Sequence, residues 1–110
     1  MISSIANIAT SALQNASKTL EVSANNVANI STKGQVGNVD DNGKAYVARR
    51  ADSVARPEGG VSTKITQTNQ PVNLEQEVVN QQTAGYQFDA SAKVLKTSDE
   101  ITGSLLDILA

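Results

Sequence analysis

The 110-residue chain carries a formal net charge of −2 and contains neither cysteine nor histidine. It therefore lacks thiolate chemistry, the commonest general base near neutral pH and the commonest metal ligand. The small net charge does not favour nucleic acid or an anionic membrane as a partner, and no run approaches the ~20 apolar residues of a membrane span. Ile, Val, Leu and Phe supply only 26 residues, so we expect one small domain whose burial is completed by other chains.

The first part of the chain has the heptad spacing of a helix that packs against another helix. This a/d stripe comprises Ile2, Ala6, Ala9, Leu13, Ala16, Leu20, Ser23, Val27 and Ile30. It predicts an amphipathic helix over about residues 3–31, with Gly34 as the left-handed cap that ends it. Alanine at many of these positions lets a partner helix approach closely.

Three asparagines, Asn25, Asn26 and Asn29, lie near the end of this predicted helix. Asparagine is a poor helix former, and local side-chain bonding at a fraying helix end accounts for one or two of the three. Amides beside an apolar stripe can instead fix the register between packed helices, as a buried asparagine does in coiled coils.

The middle of the chain is typical of a β-hairpin. Asn42-Gly43 favours a type I′ turn, and residues 45–54 are predicted to be extended. A second turn falls at residues 56–60, after which residues 61–68 alternate as a half-buried strand should, with Val61, Thr63 and Ile65 on one face. A short third strand at residues 36–39 is an additional possibility. Because an isolated hairpin is marginally stable, we expect it to pack on the helices or on a neighbouring subunit.

The last part predicts a second long helix. Asn73 is its predicted N-cap, and Glu75 and Glu77 suit the positive end of the helix dipole. Apolar residues at 3–4 spacing continue almost to the end, so the helix spans roughly 36 residues or ~54 Å. The sequence thus predicts a mainly α fold with a small β part, divided into an N-terminal helix (1–34), a hairpin middle (35–72) and a C-terminal helix (73–110).

Both helices carry stripes that we predict to form a packing interface. It comprises Leu13, Leu20, Val27, Ile30, Leu74, Val78, Phe88, Ala92, Leu95 and Leu106.

No constellation of residues predicts an enzyme or a cofactor. Asp40 could open a calcium loop, but Ala51 stands where the twelfth-position glutamate should be, and turn chemistry explains the segment better. Arg49, Arg50 and Arg56 make the hairpin locally basic; without interleaved aromatics this favours a solvated face or a subunit contact over a nucleic-acid site. We expect no metal, no cofactor, no small-molecule substrate and no membrane insertion.

Two segments resemble the signatures of the bacterial flagellar rod and hook proteins, the axial family. The N-terminal match falls on Ala24, Asn25, Asn26, Val27, Ala28, Asn29, Thr32 and Gly34. The C-terminal match covers residues 72–80 and 88–100, including Lys93 and Asp99. The two motifs occur in the right order at the right ends, and together the resemblance covers roughly two thirds of the chain.

The resemblance implies a structural subunit of the flagellar basal-body rod, most similar to the small proximal-rod members. In that family the terminal helices pair as a coiled coil in the core of a helical tube that transmits torque, and an antiparallel pairing is expected here. Implied partners are copies of the chain, other flagellar axial proteins and the flagellar export apparatus. The implied location is the periplasmic rod of the basal body, reached without a cleavable signal peptide.

A different function class stays open from the residues alone. A helical adaptor or export-associated binding module would use the same stripes to bind one partner without polymerising, and it would give a fixed stoichiometry instead of fibres.

Overall fold

A computed structural model of the chain describes residues 2–31 and 47–109. Two long helices flank an antiparallel hairpin, in the order α1 (Ile2–Ala28), β1 (Arg49–Ala55), β2 (Val61–Gln67) and α2 (Leu74–Leu109). The predicted mainly helical fold with a hairpin middle is confirmed. The predicted turn at residues 42–43, the third strand at residues 36–39 and the predicted cap at Gly34 lie outside the described residues.

Helix α1 is uninterrupted because residues 2–28 contain neither glycine nor proline. At its end the bonding tightens: the amide of Asn29 donates to both Asn25 O and Asn26 O, and that of Ile30 donates to Val27 O, each at 3.2 Å. Hydrogen bonds between residues three apart, instead of four, satisfy carbonyls that a helix end would otherwise leave without a donor.

Helix α2 begins where the sequence predicts. Asn73 acts as N-cap, because its side-chain Oδ1 accepts the backbone N–H of Gln76 at 3.2 Å. The helix runs for 36 residues, about 54 Å at 1.5 Å per residue. Among the residues that the structure describes, neither helix has a stretch long and apolar enough to cross a bilayer.

The hairpin pairs Arg49 with Gln67 at its open end and Ala55 with Val61 at its closed end. The turn between the strands needs two glycines, since Gly59 and Gly60 have φ values of +103° and +83°. A Cβ on Gly60 would also lie only 2.6 Å from Ser11 Oγ of α1. The turn therefore touches the helix where a side chain would collide with it.

The two helices pack antiparallel through a seam whose residues, apart from Glu77, are small. On α1, Ala9, Ala16 and Ser23 recur every seven residues and are all buried. On α2, Glu77, Ala84 and Ser98 are buried at the same spacing, and Ser91 between them is half-buried. Short side chains at the seam allow the helix axes to approach closely.

The direction and register of the pair follow from contacts at its two ends. Ser23 Oγ donates to Glu77 O at 3.0 Å, and at the far end Ile5 shares a groove with Ser98 and Ile101. A step of seven residues along α1 corresponds to a step of seven backwards along α2, so this register places Ala16 opposite Ala84. The larger residues of the predicted stripe lie beside the seam, and Leu20 remains 46% exposed.

Candidate functional site

A buried polar joint connects both helices to the hairpin. Asn26 is completely buried, and its side-chain amide bonds to one strand residue twice: Oδ1 accepts Arg49 N–H at 2.9 Å, and Nδ2 donates to Arg49 O at 2.7 Å. The amide thus occupies the place that the peptide of a third strand would take. Nδ2 also donates to Glu77 Oε1 of α2 at 3.0 Å.

Glu77 and Ser23 complete the joint. Ser23 is 1% exposed and Glu77 is 6% exposed. The Ser23 hydroxyl donates to the Glu77 carbonyl, while the Glu77 carboxylate accepts from Asn26. Three elements that are far apart in the sequence therefore meet through hydrogen bonds, and buried groups of this kind are costly to leave without partners.

A second anchor holds the closed end of the hairpin on α1. Ser11 Oγ accepts the backbone N–H of Val61 at 3.1 Å. Asn15 Oδ1 accepts the hydroxyls of Ser53 at 3.1 Å and Thr63 at 2.8 Å, one from each strand. The hairpin is thus attached to α1 largely by polar groups. The predicted alternation holds at Thr63, although Ile65 on the same face is 46% exposed.

The opposite flank of the helical pair carries no hairpin. Two of the α1 residues that bond to the hairpin, Asn15 and Asn26, lie one before and three after a seam position. On α2, Asn80 also lies three after a seam position and lines a groove with β1. Residues one or four after a seam position project to the other flank of both helices, because the helices are antiparallel. This hairpin-free face comprises Thr10, Leu13, Ser17, Leu20, Ala24, Val27, Leu74, Val78, Gln81, Gly85, Phe88, Ala92, Leu95, Asp99 and Thr102.

The hairpin-free face combines large apolar side chains with a near absence of charge. Asp99 is its one charged member. Leu74, Val78 and Phe88 are 50%, 45% and 43% exposed. A contiguous exposed apolar surface on a small protein marks an interaction site.

Most of the charged residues of α2 lie on the side that faces away from α1. This outward strip consists of residues two before or two after a seam position: Glu75, Val79, Gln82, Tyr86, Asp89, Lys93, Lys96, Glu100, Gly103 and Asp107. It holds every charged residue of α2 except Glu77 and Asp99. Both flanks of α2 are consequently uncharged over most of their length.

None of the ten residues predicted as the packing interface is buried within the subunit. Leu13, Val27, Ile30, Ala92 and Leu95 are half-buried, whereas Leu20, Leu74, Val78, Phe88 and Leu106 are exposed. The seam that closes the subunit is formed by smaller residues beside them. Their role in packing between subunits stays a prediction.

The signature residues have different surroundings. Asn26 is buried in the joint, while the Asn29 amide donates back to Asn25 O at 2.8 Å within α1. Ala24, Asn25, Ala28, Lys93 and Asp99 are exposed. Thr32 and Gly34 lie outside the described residues.

Sequence reasoning did not single out Ser11, Asn15 or Glu77 as contact residues. Ser11 and Asn15 lie off the apolar stripe, where polar residues are ordinarily solvated. A signal was present for Asn15, since it shares the flank of Asn26 three helical turns away. Glu77 was assigned to the helix dipole, and nothing near it in the sequence indicates its burial.

Comparison with known families gives two matches. A model described as "Flagella basal body rod protein" matches residues 6–34, and one described as "Flagellar basal body rod FlgEFG protein C-terminal" matches residues 69–108. The matches cover 29 and 40 residues, 69 of 110 together. No curated protein matches the chain. Asn26 lies in the first matched segment and Glu77 in the second, so the joint is made where the two segments meet.

Proposed function

Because the chain belongs to the flagellar rod and hook axial family, we propose that it is a subunit of the basal-body rod which polymerises into a torque-transmitting helical tube. The family matches establish a structural role in the flagellar axis and a basal-body location. The proposal adds the assembly with copies of itself and with other axial proteins, delivery by the flagellar export apparatus, and a periplasmic position.

The hairpin-free face is the observation that carries this proposal. Its large side chains are half exposed although the chain is short of apolar residues, and the face carries one charge along both helices. Burying the exposed half of each Leu, Val or Phe against a neighbour contributes on the order of 1 kcal/mol. Several such residues per subunit, repeated in every copy, supply a strong driving force for helix packing between subunits.

The hairpin flank of α2 also has exposed apolar residues, which supports contact with neighbouring subunits on both sides of the helix. Beyond the turn of the hairpin, Ile5, Val94 and Ile101 line an open groove of about 330 Å³. Val94 and Ile101 are 48% and 49% exposed, and the groove is bordered by a single charged residue, Lys93 of the outward strip. A helix with uncharged sides and one charged strip suits a position between adjacent helices, with the strip in contact with water.

The two flanks differ in shape and composition, so contact between copies is heterologous. One copy offers the hairpin-free face and the next offers a different surface. Such contacts form a closed ring or an open helix, depending on the rotation between copies, and the proposed rod requires the open helix. An open helical arrangement of such contacts gives a tube. The hydrogen-bonded joint within each subunit would resist relative movement of the hairpin and the helices under torsion.

Two aromatic substitutions on α2 test the proposal. Phe88→Asp places a charge on the hairpin-free face, whereas Tyr86→Asp places the same charge two residues away on the outward strip, where Tyr86 is already 74% exposed. In cells that depend on the variant for motility, we expect Phe88→Asp to abolish rods and swimming and Tyr86→Asp to retain both. Circular dichroism of the purified chains should show equal helix content, because neither side chain is buried.

Rods of normal number and length with Phe88→Asp would refute helix packing through this face. A wild-type chain that copurifies with one partner at fixed stoichiometry, and is missing from purified basal bodies, would support the non-polymerising adaptor instead.

A further inference from the structure

One oxygen atom in the joint has no partner. Glu77 Oε1 accepts from Asn26, but Oε2 is buried and has no hydrogen-bond donor among the described residues. A buried carboxylate that is half satisfied is costly, since its charge has been removed from water without full compensation. Oε2 lacks one hydrogen-bond donor. A cationic donor would supply that hydrogen bond and also balance the charge of the carboxylate.

A cation without a partner lies beside the same groove. The guanidinium of Arg49 makes no hydrogen bond or ion pair with any residue in 2–31 or 47–109, and the residue is exposed. Arg49 and Glu77 both line the groove between β1 and the start of α2. Their separation is small, because Asn26 Nδ2 bonds to Arg49 O at 2.7 Å and to Glu77 Oε1 at 3.0 Å.

The backbone of Arg49 is also fixed in place. Its N–H and C=O are both held by the Asn26 amide, so only the side chain is free to move. The next arginine is less suitable: Arg50 projects from the other face of the strand, and its Nε is held by Asp52 Oδ1 at 2.8 Å. Lys18, on α1, is engaged by Glu21 at 3.2 Å.

We propose that Arg49 is the charge partner of Glu77, and that its guanidinium turns from solvent into the groove to donate to Oε2 and lock the joint. Arginine suits this position because its planar fork donates to carboxylates with defined geometry and is more weakly hydrated than an ammonium group. The locked state joins β1 to α2 directly. In the unlocked state, side-chain hydrogen bonds among the described residues link the two elements through Asn26 of α1.

The lock does not depend on assembly, so it stands or falls separately from the proposed function. It assigns a task to one of the three hairpin arginines that sequence reasoning left as a solvated face or a subunit contact. It also explains how the chain tolerates a buried carboxylate at a junction of three elements.

A double-mutant cycle on the full chain tests the lock. Arg49→Gln and Glu77→Gln are made singly and together, and unfolding is followed in urea at low salt. We expect the two changes to be coupled by about tenfold in the unfolding equilibrium constant, within the range known for residues in contact. Arg50→Gln with Glu77→Gln is the matched control, and its effects should add. Additive effects of Arg49→Gln and Glu77→Gln would overturn the proposal.

A measurement on the wild-type chain covers the case in which Glu77→Gln does not fold. In ¹⁵N NMR spectra, the locked Arg49 Nε–H should exchange with water at least several-fold more slowly than the Nε–H of Arg56, whose side chain is exposed. Exchange at the same rate as Arg56 would show that the guanidinium stays in solvent and would overturn the lock.

Discussion

The two flanks of the helical pair differ in the side chains that they carry and in what those side chains contact. The hairpin flank is joined by Ser11, Asn15 and Asn26, whose side chains bond to specific strand atoms. The hairpin-free face carries leucine, valine and phenylalanine side chains that remain half-buried or exposed within the described subunit. The comparison shows how a chain with few large apolar residues can divide them. Small and polar groups, with Val22 and Val72, hold the subunit together, and most of the large apolar residues remain available for neighbours.

The largest expected effect comes from the joint on the hairpin flank. Asn26→Ala removes the hydrogen bonds that Asn26 makes to the Arg49 backbone and to the Glu77 carboxylate, three among the described residues. We expect a loss of about 2–4 kcal/mol in the free energy of unfolding. Urea denaturation measures it, with Asn7→Ala, at an exposed position of the same helix, as the control that should change stability by less than ~1 kcal/mol. Equal losses in the two variants would break the contrast between the flanks.

The seam between the flanks should resist enlargement. Ala84 is 2% exposed in the seam, so Ala84→Leu is expected to force the helices apart and to cost about 1–3 kcal/mol. Thermal unfolding of the purified chain measures the loss. Ala90→Leu, at an exposed position on the same helix, serves as the control and should be nearly neutral. If Ala84→Leu were equally neutral, the seam could not be the close contact that closes the subunit.

A pair of glycines separates subunit stability from assembly. A Cβ on Gly85 or on Gly103 would meet no atom within 4 Å. Replacing either by alanine should therefore stabilise the subunit by about 0.5–1 kcal/mol, the usual cost of glycine inside a helix. Gly85 lies on the hairpin-free face and Gly103 on the outward strip.

Only Gly85→Ala should then reduce rod assembly, because the added methyl group lies where we expect a neighbour to approach. Unfolding experiments and counts of rods in purified basal bodies measure the two properties. Unimpaired assembly with Gly85→Ala would show that this part of the hairpin-free face has room for a side chain.

The smallest expected change in the free energy of unfolding comes from removing an ion pair on the surface. Lys18 and Glu21 form an exposed ion pair at 3.2 Å outside both flanks. Lys18→Gln should change the free energy of unfolding by less than ~0.5 kcal/mol, because solvent screens such pairs. A larger change, measured at 0.15 M salt in the same urea titration, would mean that electrostatics on the outer side of α1 matter more than the contrast between the flanks allows.

Most of the fold could be predicted from local sequence patterns. The heptad of α1, the Asn73 cap and the glycine turn at residues 59–60 each depend on residues within one or two turns of one another, and each is found where it was expected. Periodicity did not distinguish the leucine side of the stripe from the alanine side, since Leu20 and Ala16 belong to the same a/d pattern. Which of them closes the subunit depends on how near α2 comes, and that is decided by residues some 60 positions away.

The joint was beyond sequence reasoning for a related reason. The sequence predicts a register role for Asn26, but its partners lie 23 and 51 positions further along the chain. Glu77 lies in the first turn of α2, where an acidic residue is favourable because of the helix dipole. This local effect accounts for a glutamate at the position without any burial. Only the packing of α2 on α1 turns a surface carboxylate into a buried one.

The hairpin is attached to α1 at two separate points, and the distance between these points fixes the length of its strands. Asn26 and Ser11 are 15 residues apart on α1, which is about 22 Å along the helix axis. The strand residues between the same two anchors span about 20 Å. The lengths agree, so adding one residue pair to the strands would move the turn past Ser11, and removing one would leave it short. Most surface hairpins tolerate changes in length; this one is confined to the length that α1 dictates.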